Sequence, residues 1–413
     1  MDSYLSGHSV IKQIPVSDLT QGMFVHDLNC GWLDHPFARS RFLVADSKTL
    51  ERIHRLPVNA VYIDTRKGLD VVGAPTQQDV QRRQQRAIEA LLESDTAPPP
   101  DATHRLFDDE LPHAASITRD AHRLIGQMMT GIKLGKQVKI DATEAVVERM
   151  TQSLLRNPDA LLALGRIRCA DQYTFEHSIN VCTLMVAFGH FLGLHAHTIR
   201  ALGSGAMLHD IGKVKISDAL LNKPGKLTEQ EFAIMQTHVQ HGAELLAMSA
   251  VDPVARAVVA EHHERWDGSG YPRGVHQDQI SYYGHMAAIV DVYDALTSDR
   301  CYHAAMAPTE ALRKIYEWSR YQFHPELAQQ FIRFIGVYPS GSFVQLASGR
   351  LAIVLDRGED RLHPRVRLVY DTLRRRMLSA TDIDLAQGDD RIEGYADPAT
   401  WGLDGQQILR QKL

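Results

Sequence analysis

Over residues 11–68 the apolar positions come in short runs, such as Met23-Phe-Val-His and Ala60-Val-Tyr-Ile-Asp, parted by turn formers that include Gly22 and Gly31. Runs of this length bounded by glycine predict strands, so a β-rich module is expected over residues 1–70. Residues 77–93 are rich in Gln and Arg and helical in spacing, and the tract Pro98-Pro-Pro that follows cannot continue a helix. Residues 71–115 are therefore expected to form a helical and Pro-rich linker. Beyond it, apolar residues recur three and four apart in 117–132, 142–155, 175–192 and 199–208, which is the period of a helix face. A helical bundle is predicted over residues 116–337. After Val337-Tyr-Pro-Ser-Gly the pattern shortens again, and Ser342-Phe-Val-Gln-Leu, Leu351-Ala-Ile-Val-Leu and Val366-Arg-Leu-Val-Tyr predict strands joined by turns. Residues 338–413 should form a small β-rich C-terminal region. The expected fold class is multidomain, a central all-α bundle flanked by two small β-rich parts, and a length of 413 residues fits more than one core.

Composition narrows the classes. The longest apolar stretch, near 181–194, is interrupted by polar residues and by His190, so no membrane-spanning segment is expected. The start, Met1-Asp-Ser-Tyr-Leu-Ser-Gly-His, lacks the basic beginning and apolar core of a secretory signal, which makes the cytoplasm the expected location. Cys30, Cys169, Cys182 and Cys301 form no Cys-x-x-Cys pair and are expected as reduced thiols. A net charge of −5 argues against a chain that coats polymeric nucleic acid or an anionic membrane. It leaves room for a small anionic ligand held by a few cations. The 21 histidines are what stands out.

Their placement suggests chemistry. Ala206-Met-Leu-His-Asp-Ile-Gly-Lys sets His209 beside Asp210 at the end of an apolar helix. Such a pair can serve two metal ions, the carboxylate bridging them while the imidazole holds one. Alone, this dipeptide means little. His177, His238, His262, His263 and Asp291 join it, each on or at the end of an otherwise apolar helical stretch. One buried histidine is usually just hydrogen-bonded in a core. Five histidines and two aspartates each need a partner, and metal ions satisfy several at once.

The order His…His-Asp…Asp resembles the HD superfamily of metal-dependent phosphohydrolases. The block His262-His-Glu-Arg-Trp-Asp-Gly-Ser-Gly-Tyr-Pro, together with Lys223-Pro-Gly-Lys-Leu-Thr and Asp294-Ala-Leu-Thr-Ser-Asp-Arg, is similar to the HD-GYP subfamily. Residues 14–68, with Gly22-Met-Phe-Val and Trp32-Leu-Asp-His-Pro-Phe, resemble an uncharacterised domain that often precedes HD-GYP domains. The resemblance implies a phosphodiesterase that hydrolyses cyclic di-GMP to linear pGpG or GMP through a metal-activated bridging water. It implies that His177, His209, Asp210 and Asp291 bind one divalent ion and that His238, His262 and His263 bind the other, with Asp210 shared. Iron or manganese is expected, and nickel or zinc is compatible with the same donors.

Other residues complete the expected site. Lys213, one turn beyond Asp210, could bind phosphate or protonate the leaving oxygen. Arg300 is expected to clamp phosphate oxygens in a bidentate way. Asp294 is expected as a catalytic-site residue that orients a ligand or Lys213. In the Gly-Tyr-Pro loop, Gly270 would let the backbone approach a ligand, Tyr271 would contact guanine and Pro272 would fix the turn. His190, His195, His197, His241, His276, His285 and His303 fall outside the family positions and are expected on the surface or in the core. His303 stands where the family usually has Arg or Lys, which would weaken the grip on phosphate. Tyr173 stands where some members carry a Glu that helps hold a third ion, so two ions per chain are expected. Two rival readings remain: a cyclic di-GMP sensor that does not cleave, and a phosphohydrolase of another cyclic dinucleotide or guanosine nucleotide. The N-terminal module could take protein partners, and a homo-oligomer is compatible.

Overall fold

The computed structural model describes residues 10–31, 37, 41–93, 105–166, 173–298, 305–356 and 362–412. It divides into two compact units, one within Met1–Ala90 and Asn222–Ile234 and the other within Leu91–Leu221 and Met235–Leu413.

The first unit is built on β1 (Ile11–Pro15), β2 (Phe24–Asp27), β3 (Phe42–Leu43), α1 (Ser47–His54), β4 (Ala60–Asp64) and most of α2 (Gln77–Glu93). Its antiparallel sheet has the order β1-β4-β2-β3, with Ile11 opposite Asp64 and Pro15 opposite Ala60. Ile14, Val25, Val44, Ile53, Val61 and Ile63, all fully buried, share one core. The predicted strands at 24–26 and 60–64 are present. Helix α1 was not expected, because it buries only Ile53. Its start is set by Asp46, whose carboxylate accepts the Thr49 N–H at 2.7 Å and so satisfies one of the open donors of the first turn.

The second unit contains α3 (Phe107–Lys133), α4 (Ile140–Arg156), α5 (Pro158–Leu164), α6 (Tyr173–Phe191), α7 (Ala196–Leu208), α8 (Asp218–Leu221), the larger part of α9 (Glu229–Ala247), α10 (Pro253–Glu261), α11 (Tyr282–Leu296), α12 (Pro308–Trp318) and α13 (Pro325–Ile335). Helix α6 is apolar on nearly all sides and buried from Glu176 to Gly189, the mark of a central helix. Helix α7 is buried at Ile199 and from Ala201 to Leu208, and packs against α4, α6 and α10. Its small residues Ala201, Gly203, Ser204, Gly205 and Ala206 let those neighbours come close.

Two boundaries differ from the sequence expectation. The bundle does not begin at 116: α3 starts at Phe107, and Glu110, fully buried, accepts Ser153 Oγ at 2.7 Å and Arg156 Nη2 and Nε at 2.6 and 2.8 Å. Of the expected linker, 77–93 is helical as its spacing predicted, and the Pro98 tract lies outside the described residues. The C-terminal β region is not a separate body either. Arg166 donates to Ser340 O at 3.1 Å, and Ser340 Oγ donates to Asp159 at 2.6 Å, which ties that region to α5.

The C-terminal sheet comprises β5 (Phe343–Leu346), β6 (Arg350–Asp356), β7 (Arg365–Asp371), β8 (Arg376–Asp384) and β9 (Ile392–Tyr395), in the antiparallel order β8-β7-β6-β5-β9, followed by α14 (Gly405–Lys412). Alternating residues feed two cores: Phe343, Leu351, Ile353 and Val369 on one side, Val344, Ala352, Val354 and Val366 on the other. That is the period-two alternation of a sheet covered on both faces. Among the described residues no helix is long and apolar enough to cross a membrane.

Candidate metal centre

The ends of the central helices bring the seven histidines and aspartates together. His177 sits near the start of α6, His209 caps the end of α7, His238 lies within α9, His262 caps α10 with His263 next, and Asp291 is on α11. Gly212 makes part of this convergence possible. A Cβ there would stand 1.9 Å from His238 O and 2.4 Å from Gly242 N, so only glycine lets the turn after Asp210 lie against α9.

Asp210 stands between the two halves of the cluster. Its Oδ2 lies 3.4 Å from His209 Nε2 and 3.7 Å from His177 Nε2, and its Oδ1 lies 3.3 Å from His238 Nε2. Asp291 Oδ1 is 3.1 Å from His177 Nε2, and its Oδ2 is 3.7 Å from His263 Nδ1. Three ligand groups emerge, His177-His209-Asp291, His209-Asp210-His262 and His238-His262-His263, with the donor atoms of each within 4.8 Å of one another.

The hydrogen bonds of the imidazoles test whether these donors suit a cation. Nδ1 of His209, His238 and His262 donates to the carbonyls of Ala206, Met235 and Val259 at 2.7, 2.7 and 3.0 Å, and Nδ1 of His177 donates to Asp294 Oδ2 at 2.7 Å. Each bond leaves a lone pair on the opposite Nε2. Those nitrogens meet in pairs, His209 with His177 at 3.3 Å and His238 with His262 at 3.4 Å. Facing lone pairs repel at such distances unless a positive charge lies between them. Asp210 Oδ1 is buried and, among the described residues, accepts no hydrogen bond, a costly state that a cation relieves. The residues fit divalent metal ions.

The protonation states agree. Burial pushes His238 down to about 4. Burial first, and neighbouring imidazoles second, hold His262 and His263 well below the usual histidine range. Burial alone would raise Asp210 and Asp291, but Lys213 and His209 for the former, and His177 and His263 for the latter, hold both well below the carboxylate range. His209 is the exception: burial lowers it, yet Asp210 and Asp291 outweigh that and keep it above its ordinary value. Neutral imidazoles and ionised carboxylates without thiolates form a borderline-hard donor set.

Around the donors, Lys213 Nζ lies 2.5 Å from Asp210 Oδ2. Asp294 is 2% exposed, and its Oδ2 accepts from His177 Nδ1. The Tyr271 ring lies 4.6 Å from that of His263, with 33° between their planes. Gly270 is needed by close approach, since a Cβ would stand 2.4 Å from Arg265 N and 2.5 Å from His263 O. Pro272 follows a cis peptide. Arg300 and His303 lie outside the described residues, as does the Tyr173 side chain. Of the set-aside histidines, His285 is buried and bonded to Gln277 O at 3.1 Å, and the His197 side chain is 74% exposed. Sequence reasoning missed Gly212, Glu261 and Glu264. Glu264 stands within the His262-His-Glu block and Glu261 immediately before it, and that position was the available signal.

Comparisons with known proteins agree with this picture. Residues 156–327 match the HD domain family, and residues 11–143 match a family described as a domain of unknown function (DUF3391). That second match runs well past the resemblance over residues 14–68. The chain is 37% identical over 399 residues to a cyclic di-GMP phosphodiesterase of Pseudomonas aeruginosa, covering 95% of this chain and 94% of that protein. It is 36% identical over 165 residues to a 3′3′-cGAMP-specific phosphodiesterase of Vibrio cholerae, covering 40% of this chain and 32% of that one. It is also 36% identical over 165 residues to a cyclic di-GMP phosphodiesterase of Thermotoga maritima, covering 40% of this chain and 45% of that protein.

Proposed function

This chain belongs to the HD-GYP family of metal-dependent phosphodiesterases, and from that premise we propose that it hydrolyses cyclic di-GMP at the His/Asp centre. The observation that carries the reading is the facing of Nε2 lone pairs around a buried Asp210 oxygen that accepts no hydrogen bond from the described residues. His177, His209, Asp210 and Asp291 would hold one divalent ion, and His238, His262 and His263 the other, with Asp210 serving both. Iron or manganese suits these donors, and two ions per chain are proposed because a neutral Tyr173 is a poor ligand. When bound, such ions supply a hydroxide nucleophile at neutral pH and neutralise the phosphoryl oxygens.

The chain's own groups do the rest. Asp294 holds His177 in one tautomer, so that its lone pair faces inward. As the P–O3′ bond breaks, the departing alkoxide needs a proton, and Lys213 donates it from an ammonium held beside Asp210. Arg300 grips a non-bridging phosphate oxygen. Tyr271 offers a ring face beside His263 for a purine. In this reading none of Asp294, Lys213, Arg300 and Tyr271 binds metal.

A second reading, hydrolysis of a hybrid cyclic dinucleotide, has the Vibrio relative in its favour, but that likeness covers only 40% of this chain against 95% for the Pseudomonas enzyme. A panel of cyclic di-GMP, 3′3′-cGAMP and guanosine tetraphosphate, incubated with the protein and manganese or ferrous iron under reducing conditions, tests the choice. Linear pGpG or GMP from cyclic di-GMP as the fastest reaction is the expected result. Preference for another member of the panel overturns the substrate assignment.

A further inference from the structure

The loop that leaves His263 and returns to α11 carries Gly270, Tyr271 and Pro272, and two carboxylates outside the ligand set hold it. Glu264 is 1% exposed. Its Oε1 accepts the Arg273 N–H at 2.9 Å and its Oε2 accepts the Val275 N–H at 3.2 Å. Glu261, at the end of α10, accepts the Arg273 guanidinium at 2.7 Å through Oε1 and the Ser281 N–H at 2.9 Å through Oε2. On the inner side of the loop, the Tyr271 N–H donates to His263 O at 3.1 Å.

A buried carboxylate is costly unless its lone pairs are used. Here both oxygens of Glu264 are used on one loop, and that loop presents Tyr271 to the ring of His263. We infer that Glu264, with Glu261 as its partner, is a positioning residue that holds Tyr271 beside the metal centre before substrate arrives. Glu264 contacts backbone amides on either side of Gly274, so it fixes the path of the chain and not merely one side chain. Preorganising the loop lowers the ordering cost of binding. The consequence for catalysis rests on the proposed phosphodiesterase reading, whereas the loop geometry does not.

The test is Glu264→Gln, which keeps the shape but turns an NH2 group towards one of the two loop amides. Amide hydrogen exchange in residues 268–276 should quicken while α10 stays protected and metal content stays at the wild-type level. The KM for cyclic di-GMP should rise about tenfold with a much smaller change in kcat. Arg273→Ala, at a side chain 52% exposed, loosens the same loop from the surface and should give a smaller rise in KM without risk to folding. In a Tyr271→Ala background, Glu264→Gln should add no further rise, because it acts through that ring. Unchanged exchange and KM, loss of metal, or additive effects of the two changes each overturn the inference. Absence of wild-type turnover would instead remove the functional reading, and the exchange comparison would still decide the loop.

Discussion

Replacing Asp294 probes how the protein prepares its metal donors. Asp294 and His177 are 2% and 3% exposed, and the 2.7 Å bond between them fixes which nitrogen of His177 carries the proton. A hydrogen bond to a charged group contributes about 1.5–3 kcal/mol, and loss of a partner that orients a ligand histidine costs roughly 10–100-fold in metal affinity. Asn keeps an acceptor oxygen but not the charge, so Asp294→Asn should fall at the tenfold end, ~1.4 kcal/mol. Asp294→Ala removes both and should approach a hundredfold. Competition with a chelator of known affinity, using manganese and protein whose far-UV dichroism matches wild type, measures both. If the Ala variant binds manganese within about twofold of wild type, the orienting role is wrong.

Gly212→Ala should destabilise the fold by about 1–3 kcal/mol and reduce metal content together, since the added Cβ strikes the carbonyl of His238; a urea midpoint and metal content at wild-type values would contradict this. Lys213→Ala should leave metal content intact and slow turnover about 10²–10⁴-fold, read by product formation, and loss of metal would show that it supports the ligands instead. In metal-free protein, His238 titrates at about 4 when folded against 6.5 when unfolded. The unfolded chain therefore takes up the proton first, so stability is full above about pH 6.5 and falls by roughly 3 kcal/mol as pH drops to 4. His209, shifted the other way, offsets part of that loss. Urea unfolding at several pH values with chelator present checks the sign, and stability that rises on acidification would refute it.

Much of the site was legible because its donors are rare residue types on apolar helices. Asp291 stands out within α11 because its neighbours are Ile, Val and Ala, and His177 opens a stretch of α6 that becomes largely apolar from Val181 to Phe188. Strand β6 was legible because Leu351-Ala-Ile-Val-Leu has no polar interruption, and β7 because Val366, Leu368, Val369 and Tyr370 are interrupted only by Arg367. What escaped was decided by tertiary contact. The start of α3 at Phe107 depends on Glu110 meeting Ser153 and Arg156 some forty residues on, and no local pattern announces that. The His262-His-Glu block marks Glu264 in sequence but not its burial, which follows from the loop that folds over it. Strand β8 was missed because it faces solvent and its sequence, Arg-Met-Leu-Ser-Ala-Thr-Asp-Ile-Asp, lacks an apolar run.

The central claim is that the His/Asp centre cleaves cyclic di-GMP with bound metal. Its most direct test compares wild-type protein with the double variant His209→Ala, Asp210→Ala, both purified without chelator, for metal per chain and for conversion of cyclic di-GMP to linear product. Wild type should carry divalent metal and turn over, with activity lost to a chelator and restored by manganese or ferrous iron. The double variant should stay folded, lose most of its metal and make no product. Cyclic di-GMP that binds to the metal-loaded wild type and is recovered uncleaved, or normal turnover by the double variant, would contradict the account.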